Sequence, residues 1–279
     1  MNISQINSLE NEYIKIEYNP KNGGMITSLI DKSRNHEWVW YKDDNKPFND
    51  NDYDKSWKGG WEELFPCDFN ESFSWGKARD HGELWGRNWS IVEKGKDWVE
   101  LSINTYESKT VFNKKFKLFK NKLYCEYSAA IKFDDYFLFK LHLAIPNENN
   151  IIKLEKSKFL KVDESFGNIS DKNNFKSLLL NPQSNTKLYD FFYVYNHNNL
   201  VEIINEASNS KMILTFDKKI FPYFWLFQSQ GGWMNKNTTV LEPATNSSKL
   251  IEDAVHERAA IKGPIKNFVT WYEVELLNV

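Results

Sequence analysis

The sequence predicts an all-β fold, a large antiparallel β-sandwich. Three observations carry this reading. Apolar residues recur with a period of two in roughly a dozen short runs. Clusters rich in Asn, Gly and Lys separate these runs at the spacing of sandwich strands. No strand–helix alternation of the Rossmann or TIM kind is present. The chain has 279 residues, which is long for one domain, yet β-sandwiches reach this size undivided. No linker divides it, so residues 1–279 read as a single domain.

The predicted strands follow in order. Tyr13–Tyr18, Met25–Ile30 and Glu37–Tyr41 open the chain, with the turn Asn19-Pro20-Lys21-Asn22-Gly23 between the first two. Lys42–Lys58 is rich in Asp, Asn and Lys and reads as a long exposed loop. Trp89–Glu93 and Trp98–Asn104 form a hairpin across Lys94-Gly95-Lys96-Asp97. In the second of these, Val99, Leu101 and Ile103 share a face opposite Glu100, Ser102 and Asn104. Thr110–Leu118, Leu123–Lys132, Tyr136–Ile145, Leu188–Val194, Val201–Ile204, Met212–Phe216 and Tyr223–Gln228 continue the pattern. One short helix is predicted within Asn246–Ala260, stopped by Gly263-Pro264, before a final strand over Asn267–Leu276.

Composition narrows the function classes. With 36 Lys+Arg against 38 Asp+Glu, there is no positive excess to hold a nucleic-acid backbone. No apolar run of about 18 residues exists, so no membrane helix is expected. The two cysteines, Cys67 and Cys125, have no CxxC spacing, and the five His show no HExxH pattern, so no disulfide framework or zinc site is expected. The polar N-terminus lacks an apolar h-region, and the expectation is a cytoplasmic protein.

Aromatics make up 16% of the chain, with 11 Trp. Five of those, Trp57, Trp61, Trp75, Trp85 and Trp89, fall in one segment, 57–89. The segment also holds Arg79, Arg87, His81 and six carboxylates. Aromatic faces beside charged planar donors suit a sugar, whose C–H face stacks while its hydroxyls find polar partners. Trp61, Trp85, Arg79 and Asp80 are the candidate contacts. The same composition reads equally as an irregular connection packing its own Trp into a satellite core.

Three residues are candidates for acid–base work. His81 lies between carboxylates in Arg79-Asp80-His81-Gly82-Glu83, which can fix its tautomer; a solvated loop His is the plain alternative. His142 lies in the strand FLFKLHLAI, on the face of Leu138, Lys140 and Ala144; a structural His is the alternative there. Glu242 ends an apolar strand before Pro243, which fixes its direction; the alternative is a rim carboxylate. Glu62 and Glu63 point to opposite faces if their segment is a strand, which makes them a poor glycosidase pair.

Taken in order, these segments resemble the aldose 1-epimerase (galactose mutarotase) family. The resembling motifs are Gly23-Gly24-Met25-Ile26-Thr27-Ser28-Leu29, Gly59-Gly60 with Phe65-Pro66, His81-Gly82 with Trp89, the His142 strand, and Leu241-Glu242-Pro243-Ala244-Thr245-Asn246. The resemblance spans nearly the whole chain. It implies a large twisted β-sandwich with a sugar cleft and interconversion of aldose anomers. It implies Glu242 as general base at the C1 hydroxyl, His142 as general acid at the ring oxygen, and His81 as a polarising group. It implies no cofactor, no metal, a small-molecule sugar as partner, and a monomer or homodimer. The chain departs from the family at Phe69, where Arg is common, at Leu143 after the second His, and at Trp85. Arg79 or Arg87 is the expected substitute for the missing Arg. The scarcity of Arg argues against a phosphorylated sugar. A non-catalytic sugar-binding protein and a glycoside hydrolase or polysaccharide lyase are the competing readings.

Overall fold

The computed structural model describes residues 6–43, 52–165, 175–179, 188–196 and 198–279. Every ladder between its strands is antiparallel. One run of neighbours passes through Ser90–Lys94, Trp98–Asn104, Val111–Phe119, Lys122–Ile131, Ile265–Asn278, Ser210–Phe216 and Leu200–Asn205. A second passes through Asn7–Glu10, Ile14–Asn19, Met25–Asp31, Trp61–Leu64, Lys140–Pro146, Asn237–Ala244, Tyr223–Gln230 and Leu188–Asn196. The long strand Asn150–Ser165 pairs with both runs, through Leu200–Asn205 and Leu188–Asn196, and joins them.

The two runs pack face to face. Phe139, immediately before the strand Lys140–Pro146 of the second run, stacks on Phe112 and meets Tyr127 and Phe268 of the first edge-on. Period-two burial makes this possible. In Lys122–Ile131, alternate residues from Leu123 to Ile131 are buried. In Lys140–Pro146 both faces are buried, because one meets the core and the other lines a cleft.

Several expectations need correction. Lys42–Lys58 is not wholly an exposed loop: Tyr53–Ser56 forms one helical turn with Tyr53 and Ser56 buried, while residues 44–51 lie outside the described residues. Glu37–Tyr41 is strand only at its start, in His36–Glu37. Tyr136–Ile145 is two strands; Tyr136–Phe137 pairs with Ile261–Lys262, and Lys140–Pro146 joins the large sheet. His197 lies outside the described residues. The short helix is found at Ile251–His256. Among the described residues, no helix is long and apolar enough to cross a membrane.

Candidate functional site

Three adjacent strands supply the floor of the cleft. His142 is the register partner of Glu62 on one side. On the other side, the pairs Lys140↔Ala244 and Leu143↔Leu241 bracket His142 and Glu242. Directly opposed side chains on antiparallel strands share a face. His142 therefore sits between two carboxylates. Its Nδ1 is 3.9 Å from Glu62 Oε1, and its Nε2 is 3.8 Å from Glu242 Oε1. Lys140, two residues earlier on the same face, ion-pairs with Glu242 and with Asp68, 2.6 Å from each. Its ammonium also lies over the Trp225 ring, 4.6 Å from the centroid.

The helical turn Tyr53–Ser56 covers this floor. Asp52 caps it by accepting from the Lys55 amide. One turn separates Tyr53 from Trp57, so both face the cleft. The Tyr53 hydroxyl donates to Glu62 Oε1 at 2.8 Å and stands 3.4 Å from His142 Nδ1. Its ring stacks on the His81 imidazole at 3.6 Å and 9°.

His81 is held at φ 59°, in the left-handed region, followed by Gly82 at φ 77°. That backbone is costly for a non-glycine residue, by on the order of 1 kcal/mol, and such strain collects at functional sites. The Gly82 position is tightly confined, since an added Cβ would lie 2.0 Å from the Phe65 carbonyl oxygen. Asp80 Oδ1 lies 2.9 Å from His81 Nδ1, and Asp68 Oδ1 lies 3.9 Å from Nε2.

Burial dominates the electrostatics. It drives His142 well below the usual imidazole range, and the nearby Lys140 charge pushes the same way, so His142 is neutral near pH 7. Burial lifts Glu62 to about 7, against the pull of the Tyr53 hydrogen bond. Burial also raises Glu242, with Lys140 opposing it. For Asp68, burial acts upward but Lys140 and His81 outweigh it, and the group is lowered. Lys140 is raised, because Asp68 and Glu242 outweigh its burial.

The resulting cavity is about 190 Å³. His81, His142 and Glu242, the three sequence candidates, all line it. The four expected contact residues do not. Trp61 is in the core, 1% exposed, with its Nε1 donating to the Ala144 carbonyl. Trp85 is buried and donates to the Asp80 carbonyl. Arg79 lies over the Trp85 ring and donates to the carbonyls of Gly82 and Trp85. Asp80 reaches the site through His81. Of the five clustered Trp, Trp57 alone lines the cavity. Trp75 packs in the satellite cluster of Cys67, Ala78 and Ile251, as the bland reading of the segment allowed. Neither Arg79 nor Arg87 replaces the missing Arg in the cavity wall. Phe69 occupies that place, and Lys249 lies over its ring at 5.3 Å. The sequence does not mark Asp68, Tyr53, Trp233 or Lys249 as site residues. It offers Lys140 by its spacing of two from His142, and Glu62 only as half of a poor carboxylate pair.

No protein-family pattern and no curated protein sequence matches the chain. Solved structures do. A galactose mutarotase related enzyme from Lactobacillus acidophilus superposes with a TM-score of 0.71 at 13% identity, over 98% of both chains. A galactose mutarotase-like protein from Lactobacillus casei gives 0.72 at 14%, over 98% of this chain and 100% of its own. An aldose epimerase homologue from C. elegans gives 0.69 at 12%, over 99% and 100%. At this identity the likeness speaks to architecture: the chain has the galactose mutarotase-like β-sandwich fold.

Proposed function

We propose that this protein interconverts the α and β anomers of an aldose by general acid–base catalysis. The observation that carries the reading is the meeting of Glu242 and His142, 3.8 Å apart, in the wall of one aromatic-lined cavity that His81 shares. Ring opening needs a proton taken from O1 while another is given to O5, as the C1–O5 bond breaks. Glu242 takes the first. Its raised pKa makes it a stronger base than an exposed carboxylate. Its ion pair with Lys140 keeps it oriented. His142, neutral through its burial, gives the second proton from Nε2 and takes one at Nδ1 from the Tyr53–Glu62 pair behind it, so neither an imidazolium nor an imidazolate has to form. Rotation about C1–C2 and closure with the proton transfers reversed give the other anomer. Trp57 and Trp233 supply apolar faces for the sugar's C–H surface.

The test is anomer exchange measured by NMR over a panel of aldoses. Acceleration by the wild type that Glu242→Gln abolishes supports the reading; no acceleration of any sugar rejects it. Sugar binding without turnover is the second reading. It is favoured by the 2.6 Å ion pair that ties up the Glu242 carboxylate. Quenching of Trp fluorescence by a sugar, with no exchange, would select it.

A further inference from the structure

We propose that Glu62 and Tyr53 form a proton relay behind His142, and that the proton on Glu62 decides which imidazole nitrogen carries the hydrogen. This rests on the reading above, in which Nε2 faces the sugar. Three atoms make the relay: Glu62 Oε1, the Tyr53 hydroxyl 2.8 Å away, and His142 Nδ1 a further 3.4 Å on. All three residues are buried.

A hydroxyl donates one hydrogen bond and accepts others. With Glu62 ionised, Tyr53 must donate to it, since a carboxylate only accepts. The Tyr53 oxygen is then left to accept from His142 Nδ1–H, and a neutral imidazole holding its hydrogen on Nδ1 has a bare lone pair on Nε2. With Glu62 protonated, its O–H donates to Tyr53, whose own O–H turns to Nδ1. The imidazole hydrogen is then on Nε2, facing Glu242 and the cavity. Only this second state can give a proton to a ring oxygen. As it does so, the Tyr53 proton moves to Nδ1 and the Glu62 proton moves to the Tyr53 oxygen. Glu62 ends ionised, Glu242 ends protonated, and ring closure reverses both. Glu62 and Tyr53 are therefore positioning residues; they act through His142.

The surrounding charges fit. His142 faces Lys140 on its own strand, Glu62 and Glu242 on the flanking strands, Tyr53 on the helical turn, His81 on its loop, and Lys236 from the turn between Tyr223–Gln230 and Asn237–Ala244. Lys140, His81 and Lys236 all disfavour an imidazolium, so His142 stays neutral while its tautomer changes. Glu62 faces Tyr53 and His142 in the cleft and feels the charge of His81, while Glu63 and Lys114 act on it from the opposite face of its strand. Burial, with Glu63 acting the same way, outweighs Tyr53, His81 and Lys114, and Glu62 titrates at about 7, so both relay states are populated near neutrality.

The experiment uses full-length protein labelled with 15N in histidine. Two-bond 1H–15N correlation spectra distinguish Nε2–H from Nδ1–H imidazole, and His142→Gln assigns the signal. Between about pH 5.5 and about pH 8.5, the wild type is expected to pass from Nε2–H to Nδ1–H with a midpoint close to the Glu62 value. Tyr53→Phe and Glu62→Gln are each expected to hold one tautomer across the range. Glu62→Gln keeps volume and an acceptor for Tyr53, so it carries the test if Tyr53→Phe fails to fold. In anomer exchange, Tyr53→Phe is expected to lower kcat by about tenfold with KM within about twofold. A single tautomer throughout in the wild type, or a switch that persists in both variants, overturns the relay. A switch seen without exchange of any sugar supports the relay and rejects the anomerase reading.

Discussion

The Lys140 ammonium stands 2.6 Å from the Glu242 carboxylate and, through the same nitrogen, 2.6 Å from Asp68. One cation thus holds two buried carboxylates together on the strand face that carries His142. Breaking a buried ion network by removing one member leaves charge uncompensated, at about 3–5 kcal/mol. Lys140→Met is therefore expected to destabilise the protein by about that amount in urea unfolding. It is also expected to raise the Glu242 pKa further, moving the acid limb of the exchange rate to higher pH.

Glu242→Gln makes a different prediction. Lys140 keeps Asp68 as its partner, so the loss of melting temperature is expected to be smaller than for Lys140→Met. Anomer exchange is expected to fall by about 10²–10⁴-fold in kcat, the usual contribution of a positioned base. Equal loss of stability and rate would make Glu242 a structural residue.

Glu62 gives a pH signature in stability. Its folded pKa is raised from 4.5 to about 7. The folded state therefore binds this proton more tightly than the unfolded state. The stabilisation is fully present below the unfolded value and is lost as pH rises through about 7. A shift of this size corresponds to on the order of 3 kcal/mol. Relative to wild type, Glu62→Gln is expected to gain melting temperature between about pH 5 and about pH 8. A difference that stays flat with pH would show that Glu62 is ionised in the fold across this range.

Gly82→Ala tests the loop that presents His81. The new Cβ would meet the Phe65 carbonyl oxygen at 2.0 Å, at a residue whose φ is 77°. Neither the chain nor the backbone oxygen can yield locally. The expected outcome is a loss of at least about 1–3 kcal/mol and weaker sugar binding together. Unchanged binding measured by Trp fluorescence would separate the loop from the site.

Trp57→Ala removes an aromatic wall that also meets His142 edge-on at 5.3 Å. KM is expected to rise by about 10-fold, with a smaller change in kcat, as for a residue that contributes binding to substrate and transition state alike. Trp61→Phe, in the core, is expected to alter stability and leave KM unchanged.

The fold is legible because strand burial repeats every two residues, and the alternation in Trp98–Asn104 marks that strand's own bounds. The catalytic candidates were legible because each sat in a motif whose order resembled a family. The cavity wall was not. Trp61, Trp85 and Arg79 look like sugar contacts in composition, yet the sheet turns Trp61 inward and the loop keeps Arg79 for its own carbonyls. Tyr53 was hidden in a polar stretch, because a single helical turn carries no periodic signal. Glu62 meets His142 only through a strand register, and register across the sheet is a long-range property.

Glu62 and Glu63 are neighbours on one four-residue strand and face opposite ways. Glu62 meets Tyr53 and His142 in the cleft, while Glu63 accepts from Lys114 and Tyr127 within the core. All four residues of Trp61–Leu64 are buried, so hydrophobicity alone distinguishes its two faces poorly. Charge matching does the distinguishing. A slip of one residue puts either Leu64 in the place of Glu63, leaving Lys114 without its counter-ion, or Trp61 in the place of Glu62, leaving Tyr53 without its acceptor. The paired glutamates thus act as a key that fits one alignment of this strand, and the alignment that seats the key is the one that brings Glu62 to His142.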